Sequence, residues 1–183
     1  FDTYNYQMKR NNIKMKLKEY FFRHPTKKLR VRQIEREVNI PLPSAIRYTK
    51  ELEKEGILIR EEIAEVVMFS ADRASRIFLL EKRFFNMGCL FNSGLIDFII
   101  KKMGAPNIIL FGSYSNGEDV ESSDIDIFIE SSFKGKLDLT KFEKKLSKEI
   151  QIICSKNLSS IKNKNLANNI VNGVVLNGFF EVF

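Results

Sequence analysis

Apolar residues recur at helical spacing through the first third of the chain, where Ile13, Leu17, Tyr20 and Phe21 predict an opening helix. "HPTKKLRV" then reads as a turn and a short strand, and "RQIEREV" as a second short helix. "NIPLPS" breaks the pattern, with Ser44 placed to cap a third helix that runs to about Glu55 and ends at Gly56. On that helix Ala45, Ile46, Thr49 and Leu52 form an inward stripe, leaving Arg47, Lys50 and Lys54 on the opposite face. The β-prone runs "ILIR" and "EVVMF", separated by "EEIA", predict a hairpin. Two further helices follow, "ASRIFLLEKRFFNM" and "LFNSGLIDFIIKKM"; in the first, Ile77, Leu80, Phe84 and Met87 make the stripe of a packed bridging helix.

Beyond Gly104 and Pro106 the period shortens. "NIILF" is the kind of apolar run that becomes a buried strand, and Gly112 and Ser113 close it. In "SDIDIFIE" the isoleucines point inward, so Asp124 and Asp126 share the other face about 7 Å apart. "KFEKKLSKE" predicts an amphipathic helix with Phe142 and Leu146 inward and Lys144, Lys145 and Lys148 on a solvated face. "KEIQIICS" supplies a later strand.

Composition narrows what these elements can do. With 183 residues, 44% of them hydrophobic, the chain has material for one large core or two small ones. The net charge of +7 suits a polyanionic partner and equally a plain basic surface. Most of that excess sits early: residues 1–73 carry 16 Lys and Arg against 11 Asp and Glu, the remainder 14 against 12. Cys89 and Cys154, far apart in apolar surroundings, read as free buried thiols in a reducing compartment. The greasy region from Ile77 to Ile100 is interrupted by Glu81, Lys82, Arg83 and Asp97, so no membrane span and a cytoplasmic protein are expected. The chain opens at Phe1 rather than Met, which leaves a removed leader open. His24, the single histidine, precedes Pro25 in a turn, and one histidine with two distant cysteines argues against a zinc site or Ser-His-Asp chemistry.

Two carboxylates on one strand face repel each other. A Gly-Ser turn exposes backbone N–H groups and a hydroxyl able to hold phosphate oxygens, and a helix starting there would add its positive end. Two hard oxygen ligands close by can bind Mg²⁺ that also coordinates a nucleotide's phosphates, which removes the repulsion. An edge strand with a polar face also alternates Asp with Ile, and this alternative stands on the spacing alone.

Here the residues meet known families. Helix, strand, helix, turn, helix, hairpin is the order of a winged helix-turn-helix, and residues 8–72 resemble that family. Ser44, Arg47, Lys50 and Lys54 would then face DNA; Glu61 and Glu62 at the expected wing tip favour a merely solvated helix face instead, and protein docking or dimerisation is the other use of the same fold. The run Phe111-Gly112-Ser113, then Gly117-Glu118, then Ser123-Asp124-Ile125-Asp126, resembles the signature of minimal nucleotidyltransferases of the DNA polymerase beta superfamily. The chain as a whole looks like archaeal proteins that fuse an amino-terminal winged helix to this domain, including the closing "NNIVNGVVLNGFFEVF".

The resemblance implies an α+β protein: a winged helix over 8–72, a helical connector over 73–104 and a small nucleotidyltransferase-fold domain with a mixed sheet and flanking helices over 105–183. It further implies that Gly112 and Ser113 hold a nucleoside triphosphate and that Asp124 and Asp126 ligate Mg²⁺ or Mn²⁺ and serve catalysis. One position departs from the pattern. Where active members carry a third carboxylate, this chain has Gln151, with Glu149 on the same face two residues earlier. The expected function is therefore transfer of a nucleoside monophosphate to an acceptor, weakened at Gln151. The alternative is a non-catalytic regulator that senses nucleotide or binds DNA through the winged helix. A homodimer contact through the long apolar segment or the closing "VVLNGFFEVF" stays open.

Overall fold

The computed structural model describes residues 2–133 and 135–179, with side chains from Ile13 onward. Residues 180–183, part of the segment considered for a dimer contact, lie outside the described residues. The chain divides into two compact units, Phe1–Lys82 and Arg83–Phe183.

In the first unit come helices α1 (Asp2–Arg23), α2 (Val31–Val38) and α3 (Leu42–Lys54), then strands β1 (Leu58–Ile63) and β2 (Val66–Ala71), paired antiparallel. Leu29 adds a third rung by exchanging backbone hydrogen bonds of 2.9 and 2.8 Å with Phe69. Leu17 and Phe21, four apart on α1, are fully buried along with Ile34, Leu52 and Ile57, so a three-helix core carries the hairpin. Lys14 ties α1 to α3 through Glu51 at 3.4 Å and through Glu55.

Two expectations for α3 need correction. The helix begins at Leu42 behind Pro41, which has no side-chain cap, so Ser44 lies inside the first turn and donates its N–H to the Pro41 carbonyl. Proline explains the shift, since its fixed φ and missing N–H are both tolerated in a first turn. The buried set is Ala45, Tyr48, Thr49 and Leu52, and Ile46 is 43% exposed. Positions i, i+3, i+4 and i+7 make the truer helical stripe, and Thr49 joins it because its hydroxyl bonds the Ala45 carbonyl at 2.8 Å.

The bridging helix α4 (Arg76–Ser93) corrects a third expectation, because Ile77, Leu80 and Phe84 are 51%, 53% and 67% exposed. Its buried residues are Phe78, Lys82, Asn86 and Leu90, spaced by four, and Ser93 at its end. Three of these are polar, which hides the inward face from a hydrophobic pattern. Within the first unit Phe78 packs on Phe22 with ring centroids 5.5 Å apart. Among the described residues no helix is long and apolar enough to cross a membrane.

The second unit holds α5 (Leu95–Met103), β3 (Asn107–Phe111), α6 (Gly112–Asn116), β4 (Ile125–Glu130), α7 (Thr140–Leu146), β5 (Ile150–Ser155), α8 (Lys164–Val171) and β6 (Val174–Asn177). The sheet order is β5-β4-β3-β6, with β4 parallel to β5 and β3 antiparallel to both its neighbours, so the sheet is mixed. Ile125, Ile127 and Ile129 pack with Leu95, Ile99, Phe142 and Leu146 on one face. Phe128 joins Ile109, Phe111 and Ile170 on the other. Since β4 is interior and covered on both faces, the polar-edge reading of its Asp-Ile alternation fails. Cys154 also departs from expectation, for it lies exposed on edge strand β5, while Cys89 is half-buried.

Candidate functional site

Strand β3 ends at Phe111, which pairs in register with Asp126 of β4. The chain then turns through Gly112, whose φ of +74° is left-handed and favours glycine. A Cβ at Gly112 would lie 2.4 Å from Asp126 Oδ2, so the missing side chain is what lets the turn sit against this carboxylate. Gly112→Ala is expected to cost about 1–3 kcal/mol of stability from backbone strain and this clash, and to weaken Mg-ATP binding about tenfold or more. Urea unfolding and calorimetric titration check both halves.

Ser113 follows, half-buried, with no side-chain hydrogen bond among the described residues. Its carbonyl accepts the N–H groups of Gly117 and Glu118, which closes the short helix α6. Tyr114 and Ser115 are buried, and the Ser115 hydroxyl donates to the Gly112 carbonyl at 2.8 Å. The turn is thus braced from behind, while Gly112 and Ser113 stay half-buried.

Asp124 and Asp126 flank Ile125 at the start of β4, both half-buried. Burial, and secondarily the charge of Asp124, pushes the Asp126 carboxyl above the usual carboxylate range. The structure leaves the repulsion between the two acids in place. Gln151 of β5 pairs in register with Asp126, yet its side-chain Nε2 donates to Asp124 Oδ2 at 2.5 Å. Glu149 is exposed, precedes β5 and makes no side-chain hydrogen bond among the described residues; its backbone carbonyl accepts from Ile125 N–H at 2.9 Å. Among the described residues no group of three or more His, Cys, Asp or Glu side chains is arranged to hold a metal ion. Two hard carboxylates beside a partly exposed turn nevertheless fit one cation of the Mg²⁺ type, which commonly binds through one or two carboxylates plus substrate phosphates.

The loop between α6 and β4 is fixed by residues that pattern reasoning missed. Asp119 is buried in it, accepting from Asn86 Nδ2 at 2.7 Å and lying 3.3 Å from Lys148 Nζ. Asn86 also donates to the Tyr114 carbonyl at 3.0 Å and receives the Tyr114 hydroxyl on its own carbonyl at 3.2 Å. Lys148 donates to the carbonyls of Val120 and Ser123 at 2.6 and 3.1 Å. This clamp fixes the residue just before Asp124. Lys148 is therefore not part of a solvated face: Ser147 leaves α7 with φ of 55°, and the Lys148 side chain is 12% exposed. Lys145 similarly donates to the Asn92 carbonyl at 2.7 Å.

The nominated residues of the first unit lie together on α3. Arg47, Lys50 and Lys54 are exposed and Ser44 is half-buried. Arg47 Nε is held 2.7 Å from Glu51 Oε1.

A family model described as a nucleotidyltransferase domain matches residues 95–177, from α5 through β6, and so spans Gly112, Ser113, both acids and Gln151. No curated protein and no solved structure matches the chain. The matched residues all lie within the second unit, which is therefore similar to a nucleotidyltransferase domain from α5 to β6.

Proposed function

We propose that the second unit binds a nucleoside triphosphate as its Mg²⁺ or Mn²⁺ complex and transfers the nucleoside monophosphate to an acceptor hydroxyl. The acceptor oxygen forms its bond to the α-phosphorus as the bond to the β-phosphate oxygen breaks, the hydroxyl proton passes to solvent, and pyrophosphate leaves. The observation that carries this reading is the close approach of the Gly112 turn to Asp126, which sets a partly exposed turn, with a Ser113 hydroxyl that makes no hydrogen bond among the described residues, against a repelling acid pair. Asp124 and Asp126 would hold the cation, which neutralises phosphate charge in the transition state. Gly112 and Ser113 would orient the phosphates.

Gln151 supports a weakened enzyme. Its amide occupies one oxygen of Asp124 and adds no charge where the resemblance expects a third carboxylate. The same contact favours a second reading, in which nucleotide is bound and sensed without transfer. Restoring the acid separates the two: Gln151→Asp is expected to raise transfer of label from α-labelled ATP about tenfold or more, whereas unchanged transfer supports the sensor. The order helix, bridge, helix, helix, hairpin supports reading residues 8–72 as a winged helix-turn-helix and 73–104 as its helical connector to the transferase fold.

A further inference from the structure

A groove of about 480 Å³ opens in the first unit between α3 and the β1–β2 hairpin. Its volume falls in the range of side-chain and small-ligand pockets. Val31, Ile46 and Val67 give it an apolar lining, and Ile46 is the side chain that α3 leaves 43% exposed. Lys50 and Lys54 stand on the helix side and Arg60 on the strand side, with Glu53 as the one acid in the lining. Lys50 and Lys54 form no ion pair among the described residues, and Arg60 meets only Glu62, at 3.5 Å.

We propose that this groove docks an acidic segment of a protein partner, which inserts a Leu- or Phe-sized side chain over Ile46 while its carboxylates pair with Lys50, Lys54 and Arg60. The inference is independent of the nucleotide site. Charge complementarity and the apolar lining select this occupant together. A phosphate backbone gains from the lysines but has nothing to place on Val31, Ile46 and Val67.

Other features disfavour duplex DNA on this face. Arg47, the residue best suited to a base edge, is engaged by Glu51 and lies 5.3 Å over the Tyr48 ring. The hairpin that would follow the backbone carries Glu61, Glu62 and Glu65, and Glu61 already pairs with Lys28 at 2.5 Å. Acids there repel a phosphate backbone that runs along the hairpin, whereas a short acidic segment keeps clear of them by lying on the α3 side, beside Lys50 and Lys54. A peptide that buries one large apolar side chain gains affinity from it, and desolvated pairs with the lysines add selectivity.

The test uses fluorescence anisotropy with the full chain and a labelled peptide of about 12 residues, Glu- and Asp-rich around a central Leu-Phe pair. Saturable binding with a Kd on the order of 10 μM is expected. Ile46→Ser and the double change Lys50→Glu/Lys54→Glu should each weaken it about tenfold, and replacing the peptide's Leu-Phe pair with serines should do the same. All three positions are exposed, so the variants keep the parent's melting curve; should one unfold, amide shifts at Ile46, Lys50 and Val67 in the unaltered protein report the same contact. Three results overturn the proposal. The first is no saturable binding, and the second is equal binding of the serine peptide. The third is preference for a random duplex of about 20 base pairs, lost on the lysine changes and untouched by Ile46→Ser.

Discussion

Asp126→Asn is expected to raise stability and abolish function together: the variant melts about 1–3 °C higher than the parent without metal, yet binds Mg-ATP about 100-fold more weakly. The gain in stability follows from the direction of the Asp126 shift, because burial and the neighbouring Asp124 hold its carboxyl above the usual range. A carboxylate whose folded value lies above its unfolded value opposes folding once ionised. That penalty is absent below the unfolded value and grows as pH rises through the window up to the folded one. The parent should therefore lose stability across that window relative to Asp126→Asn, whose amide does not titrate. Adding Mg-ATP should reverse the ranking, since a ligand at 100 times its Kd stabilises the parent by about 2.7 kcal/mol and leaves the variant nearly unmoved. Scanning calorimetry over pH, with and without nucleotide, reads all of these. Equal stabilisation of both proteins by Mg-ATP contradicts the role given to Asp126.

Breaking the clamp behind the site should produce the largest structural loss. Asn86→Ala removes the donor to the buried Asp119 carboxylate and the donor to the Tyr114 carbonyl, as well as the volume of the amide. A hydrogen bond to a charged group contributes about 1.5–3 kcal/mol, and the cavity adds to that, so a destabilisation of about 2–4 kcal/mol is expected in urea unfolding. Because Asp119 holds the loop that delivers Asp124, Mg-ATP affinity should also fall, by about tenfold. Asn86→Asp should be worse than alanine at neutral pH, since it sets a second carboxylate against Asp119. If alanine costs less than about 1 kcal/mol, Asn86 is not the residue that fixes the loop.

These two effects differ in how far the sequence announces them. The geometry of the candidate site was legible because its parts are local. The alternation of "SDIDIFIE" placed both acids on one strand face, and Gly112 marked the turn; Asp126 and Gly112 do meet. The amphipathic pattern of α7 likewise put Phe142 and Leu146 in the core, where both are buried. The clamp was not legible, because Asn86, Asp119 and Lys148 are joined over 33 and 29 positions by polar contacts that leave no periodic trace.

Periodicity misled on α4 for a related reason. It reports where apolar residues lie, whereas this helix buries Asn86 and Lys82 and exposes Ile77, Leu80 and Phe84. Pairing order is equally invisible locally, so the interior place of β4, which rules out a solvated edge, emerged only from the assembled sheet. Ser44 was misplaced because two prolines start α3 earlier than its hydroxyl suggested.

Titration calorimetry of ATP into the parent protein and into Asp124→Ala/Asp126→Ala tests the account at its centre. Saturable one-site binding is predicted for the parent with Mg²⁺ or Mn²⁺ present, vanishing in EDTA and in the double variant. Binding that survives both losses, or a parent that takes up no nucleoside triphosphate with either metal, contradicts it.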